Sequence, residues 1–211
     1  MQNKGFVKVF AVLLTLVCLF YLSFSFVTRH HMNKAAEDPQ GEAHYLDSVQ
    51  IIIGMFLYSF QIYGDFFGYS TIALGSAKII GYDITNNFNT PYLAKSIADF
   101  WHRWHISLST WFRDYVYFPL GGSRVKFGRW AFNIMIVFII SGIWHGANWT
   151  FMLWGILHGM VIIIEKVFAL PQKLEKKKPL AWVYQGVTLL VVLFGWVLFR
   201  AESLKQGITY I

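Results

Sequence analysis

Cysteine and charge are scarce in this sequence. Of 211 residues one is cysteine, Cys18, and it lies inside an apolar run. An internal disulfide framework and a cysteine-based metal cluster are therefore excluded. Charged residues make up 14% of the chain, against 56% hydrophobic and 19% aromatic. So little charge cannot solvate the surface of an ordinary globular domain, and lipid is the expected solvent. No internal repeat or low-complexity tract is visible.

The charge that is present carries a net +7, which raises the question of nucleic acid. A nucleic-acid binder gathers its cations into a stripe. Here they stand at the ends of apolar runs: Lys4 and Lys8 before the first, Arg124, Lys126 and Arg129 before another, Lys166, Lys173, Lys176, Lys177 and Lys178 after a third. That is the pattern of cytoplasmic loops in a multi-pass membrane protein, and no nucleic-acid partner is expected. The first run, residues 6–27, is too long for a signal peptide and has no small-residue cleavage site, so it is expected to be a membrane anchor helix.

Further along, residues 28–44 form a polar loop and residues 46–63 a second apolar span. After Gly64-Asp65-Phe66-Phe67-Gly68 comes a short apolar segment, residues 69–80, expected to be re-entrant or buried in protein because it is too short to cross. A loop is marked by Asn86, Asn87, Asn89, Thr90 and Pro91. On a helical wheel, Ile97, Phe100, Trp101, Trp104, Leu108, Trp111, Phe112, Tyr115 and Phe118 share one face, which predicts a single amphipathic interfacial helix over residues 96–118. Asp99 and Arg103 form an i,i+4 pair on its other side.

Three more apolar runs follow at residues 130–144, 149–168 and 181–199. With both basic loops cytoplasmic, the first two make a hairpin whose turn, near residues 145–148, points away from the cytoplasm. Arg129 to His145 is about 24 Å of helix, which puts His145 deep, toward the far side of the hydrocarbon layer. The fold class expected is all-α: a multi-pass transmembrane bundle with an amphipathic interfacial helix and a short re-entrant segment.

An ionisable group at membrane depth is costly, so His145 is the first functional candidate. A neutral imidazole there is suited to take a proton from a hydroxyl. If the helix continued, Asn148, Trp149 and Met152 would share its face. His158 lies in Gly155-Ile156-Leu157-His158-Gly159, a pattern for close helix approach, and packing is its expected role. His105 sits on the margin of the apolar stripe, facing both oil and water, and His102 lies outside it. A metal site from His102, His105 and His145 is an alternative, since imidazole suits zinc and iron, but no carboxylate or cysteine stands at ligand spacing, and no metal is expected. Asp65, at the end of an apolar span, is open to two readings: a helix-terminal cap, or a group that orients a histidine or pairs with Arg103 or Arg113.

Three blocks, in order, resemble one family. They are Tyr58-Ser59-Phe60-Gln61-Ile62-Tyr63-Gly64-Asp65-Phe66-Phe67-Gly68, Asp99-Phe100-Trp101-His102-Arg103-Trp104-His105 running on to Gly121-Gly122, and Ser141-Gly142-Ile143-Trp144-His145-Gly146-Ala147-Asn148-Trp149. Together they are similar to the membrane-bound O-acyltransferases, in the alginate O-acetyltransferase-like branch. The resemblance matches His145 to the essential histidine and His105 to a second functional one; His102 falls where an arginine is expected, so no role transfers to it. Residues 1–45 are then an anchor helix and polar loop, and residues 46–211 the C-terminal part of such a membrane domain, preceded in the family by more helices than are found here.

What the resemblance implies is transfer of an acyl group, most simply acetyl, from a thioester such as acetyl-CoA to a hydroxyl of an exported polysaccharide or carrier. No bound cofactor is implied. His145 and His105 are the implied catalytic pair, with Asn148, Trp144, Asp65, Arg103 and Arg113 binding or orienting substrate. The implied setting is the bacterial cytoplasmic membrane, with a polysaccharide or cell-wall acceptor and a periplasmic or extracellular acetyltransferase as partner. Two alternatives come from other classes: a non-catalytic scaffold or export component, and a metal or haem carrier resting on the histidines alone.

Overall fold

The computed structural model describes residues 48–209. The expected anchor helix and polar loop, residues 1–45, lie outside the described residues. The described residues fall almost entirely in one compact unit, Ile52–Ile211.

Helix α1, Ser48–Ile79, is continuous over 32 residues. The expected division into a span and a re-entrant segment is therefore not found. Gly64 and Gly68, on either side of Asp65, each cost a helix about 1 kcal/mol relative to alanine, and packed aromatic rings surround them. Tyr63 stacks on Phe67 at 5.4 Å and Phe66 on Tyr69 at 4.8 Å, while Phe66 also packs edge-on against Phe88 at 4.9 Å. Asp65 consequently lies inside a helix, exposed, and caps nothing.

The segment expected as one amphipathic helix is two short ones and a π turn: α2 (Ile97–Arg103), α3 (Ile106–Phe112) and Arg113–Tyr117. The helix stops because Trp104 turns extended and pairs its backbone with Phe88. Its stripe is correspondingly divided. Ile97, Phe100, Trp104 and Phe112 are buried in the core, whereas Trp111, Tyr115 and Phe118 are at least half exposed. The start of α2 is well built: Ser96 Oγ accepts from the Asp99 N–H at 3.0 Å, and Asp99 accepts from the Lys95 N–H at 2.9 Å.

Helices α4 (Phe127–His145) and α5 (Trp149–Phe168) form the expected hairpin, and α7 (Lys178–Arg200) packs on α5 after the short α6 (Leu170–Glu175). These three long helices, α4, α5 and α7, have the length and composition to cross a membrane. Small residues let α4 and α5 close up: a Cβ on Gly155 would collide with the carbonyl of Phe138, and one on Gly142 with that of Phe151. A last short helix, α8 (Leu204–Thr209), follows α7.

Candidate functional site

His145 is the final residue of α4; the chain then turns through Gly146 and re-enters helix after Asn148. The helix does not run on through the turn, so Asn148, Trp149 and Met152 do not extend one face with His145. The imidazole is half-buried. Trp144, Trp154 and Phe199 approach it edge-on at 4.9, 5.0 and 5.3 Å. Its Nδ1 lies 2.7 Å from the Ser141 carbonyl oxygen. A carbonyl only accepts, so Nδ1 carries the hydrogen in this bond, and Nε2 keeps its lone pair.

Asn148 builds the turn beneath this histidine. Its side-chain oxygen accepts from the Thr150 N–H at 3.3 Å, and its Nδ2 donates to the Glu202 carbonyl at 3.0 Å, tying the turn to the segment after α7. Both ends of the amide are thus engaged by backbone. Trp144, the other flanking residue expected to bind substrate, is 60% exposed.

His105 occupies the break between α2 and α3 with a left-handed backbone, φ 47° and ψ 54°. Left-handed backbone is unfavourable for a side chain this size and persists only where the surroundings impose it. The imposing group is Asn87. Its carbonyl accepts from the Ile106 N–H at 3.0 Å, and its side-chain oxygen accepts from the Ser107 N–H at 3.2 Å and the Ser107 hydroxyl at 2.6 Å. On the other side of the break the Asn89 N–H donates to the Arg103 carbonyl at 2.9 Å. Asn87 therefore caps α3 from outside its own helix, a role that no local spacing announces.

The His105 ring stands edge-on to Phe66 at 4.5 Å, and its Nδ1 is buried with no hydrogen-bond partner among the described residues. Burial, and then the neighbouring His145, push its pKa down to about 4, so the ring is neutral at physiological pH. Packed rings connect the two histidines, from Phe66 beside His105 to Phe199 beside His145. A continuous aromatic wall joins them: Phe66, Trp104, Trp196 and Phe199 follow one another at 6.3, 4.9 and 5.6 Å, and Phe199 touches His145.

The remaining candidates separate from this pair. Arg103 binds Asp99 at 2.8 Å, as its i,i+4 spacing predicts, and Arg113 binds Asp114 at 2.8 Å on an exposed surface. Neither arginine pairs with Asp65. Although burial works against it, the Arg103 bond and the Lys95 N–H hold the Asp99 carboxyl below the usual carboxylate range. His102 is exposed, and among the described residues no three His, Cys, Asp or Glu side chains are grouped to hold a metal. His158 is buried on α5, with its Nδ1 2.9 Å from the Trp154 carbonyl, and Gly195 of α7 leaves room for its ring, matching the packing role expected of it.

The family model of the membrane-bound O-acyltransferases matches residues 3–207. The chain belongs to that family. It is 45% identical to the "Probable alginate O-acetylase AlgI" of Azotobacter vinelandii over 152 residues, which cover 72% of this chain and 30% of that protein. It is 39% identical to the peptidoglycan O-acetyltransferase of Helicobacter pylori, over 79% of this chain and 32% of the relative. The teichoic acid D-alanyltransferase of Bacillus subtilis is 34% identical over 70% of this chain and 39% of its own length. The chain thus spans between 30% and 39% of these relatives. The three names describe acyl transfer involving alginate, peptidoglycan or teichoic acid, and the family together with the three long apolar helices supports a multi-pass membrane protein.

Proposed function

We propose that this chain carries the acyl-transfer centre of a bacterial cytoplasmic-membrane O-acyltransferase. It moves an acetyl or similar acyl group from a thioester donor, such as acetyl-CoA, to a hydroxyl of an exported polysaccharide or cell-wall polymer. The observation that carries the reading is the Nδ1 contact of His145 with the Ser141 carbonyl at 2.7 Å, which leaves Nε2 free to act as general base. Nε2 takes the proton of the acceptor hydroxyl as its oxygen attacks the thioester carbonyl. The carbon–sulfur bond then breaks, and the imidazolium returns the proton to the departing thiolate.

Neutral His105, with an unengaged buried nitrogen, orients the acceptor or stabilises the oxyanion. Asn148 supports the centre by holding the turn. Arg103 and Arg113 serve through the segment that bears His105, and Trp144 through the wall of the His145 site. A periplasmic or extracellular acetyltransferase acts with it on the polymer.

The test uses the full-length protein in cells. His145→Ala lowers acetylation of its polymer by about 10²- to 10⁴-fold, the usual contribution of a positioned acid–base group. Normal acetylation by that variant sinks the general-base role. Purified wild-type protein incubated with radiolabelled acetyl-CoA provides the complementary measurement: no transfer to any polymer favours a non-catalytic scaffold of the export system instead.

A further inference from the structure

Glu165 is a buried ionisable group that the mechanism does not use. It lies on the apolar helix α5 and is 3% exposed. A carboxylate in such a place is strongly unfavourable unless it is fully hydrogen-bonded. Three donors meet it, and none is a lysine or arginine. The backbone N–H groups of Ile97 and Ala98 donate at 2.7 and 3.1 Å, one to each carboxylate oxygen, and the Tyr184 hydroxyl of α7 donates at 2.9 Å. Two membrane helices thereby grip the first turn of α2 through one side chain.

From this grip α2 runs toward His105. Its seven residues span about 10 Å. One turn beyond Ile97, Trp101 packs against His158 at 5.3 Å and Trp154 at 5.5 Å, so α2 follows α5 in the opposite direction, from Glu165 past His158 to Trp154. Trp154 in turn meets the His145 ring at 5.0 Å. The grip on Ile97 and Ala98 therefore fixes one end of a short rod whose other end is the Trp104–His105 break. His105 has no side-chain cap of its own there, so its position depends on Asn87 on one side and on this rod on the other.

We propose that Glu165 is a positioning residue for His105, setting the height of α2 along α5 so that the second histidine reaches the centre around His145. The relevance to catalysis rests on the acyltransfer reading; the positioning itself does not. An error of about 1 Å in such a placement is enough to cost some 100-fold in rate.

The test labels histidines in the whole chain, in lipid nanodiscs, with diethyl pyrocarbonate and reads each site by mass spectrometry. Exposed His102 serves as the reference for reagent activity. Glu165→Ala is expected to raise labelling of His105 several-fold while His145 stays at its wild-type level. Glu165→Gln, which keeps a single accepting oxygen, gives an intermediate rise, and Tyr184→Phe a smaller one. Hydrogen exchange over residues 97–107 accelerates in the same order. Unchanged His105 labelling in Glu165→Ala overturns the proposal, as does a rise shared equally by His145. Should Glu165→Ala fail to fold, Glu165→Gln and Tyr184→Phe decide by the same two criteria.

In acyl transfer, Glu165→Gln lowers kcat and leaves KM near its wild-type value. If wild-type protein transfers nothing, the functional reading fails while the labelling comparison stands.

Discussion

The two histidines are held in opposite ways. The hydrogen bond and the turn that fix His145 come chiefly from its neighbours in sequence, Ser141 one turn back, Asn148 three residues on, and glycines that bring α4 against α5, with Phe199 and the Glu202 carbonyl as the contacts from farther away. His105 depends on residues far away, on Asn87 eighteen positions earlier and, through α2, on Glu165 sixty positions later. A site held locally is as robust as its hairpin. A site strapped from a distance can be loosened without unfolding anything else.

That contrast is open to attack from both sides. The largest effect is expected at the hairpin. Gly155→Ala puts a methyl group against the Phe138 carbonyl, which has no flexible end to yield, and overpacking of this kind costs about 1–3 kcal/mol. Thermal unfolding in detergent should show it as a lowered transition of the whole chain, with labelling of both histidines rising together. Unchanged stability would mean that α4 and α5 are not closely seated.

A smaller and more selective effect is expected from Asn87→Ala. It removes the side-chain acceptor of two bonds to Ser107, and losing a helix cap costs about 0.5–2 kcal/mol. Hydrogen exchange should quicken around residues 104–109 and remain at wild-type rates across the α4–α5 turn. Equal acceleration in both places would erase the distinction between local and remote support.

The last effect concerns pH. His105 binds a proton near pH 6.5 when unfolded and only near pH 4 when folded, because burial disfavours its charged form. Between those values the unfolded chain holds more protons, so stability falls as pH falls from 6.5 toward 4. The ring is partly exposed, and solvent softens the slope. His105→Gln should flatten it, as measured by denaturation midpoints across that interval; an identical slope would show that the ring is not desolvated.

Sequence periodicity foretold one side of this contrast well. The α4–α5 hairpin, its turn at His145, the Asp99–Arg103 pair and the packing role of His158 all follow from spacing over a few residues. Failure came wherever tertiary contacts overrode local preference. The glycines around Asp65 looked like a break, but ring packing keeps α1 whole. The aromatic stripe of residues 96–118 looked like one helix, but pairing of Trp104 with Phe88 divides it. Asn87 reads from the sequence as a loop residue; that it caps the start of α3 is invisible to local spacing. Glu165 lies inside an apolar run with no motif around it, and a lone carboxylate among so many apolar residues is the one signal the sequence carries for it.

The bond between His145 and the Ser141 carbonyl has a directional meaning. With Nδ1 committed to its own helix, the ring has one working nitrogen, and a proton deposited there leaves by the same door. On the proposed mechanism, the hydroxyl that gives up the proton and the sulfur that receives it would have to visit the same edge of the imidazole in succession. Acceptor and donor would then be brought to one side of this histidine instead of flanking it.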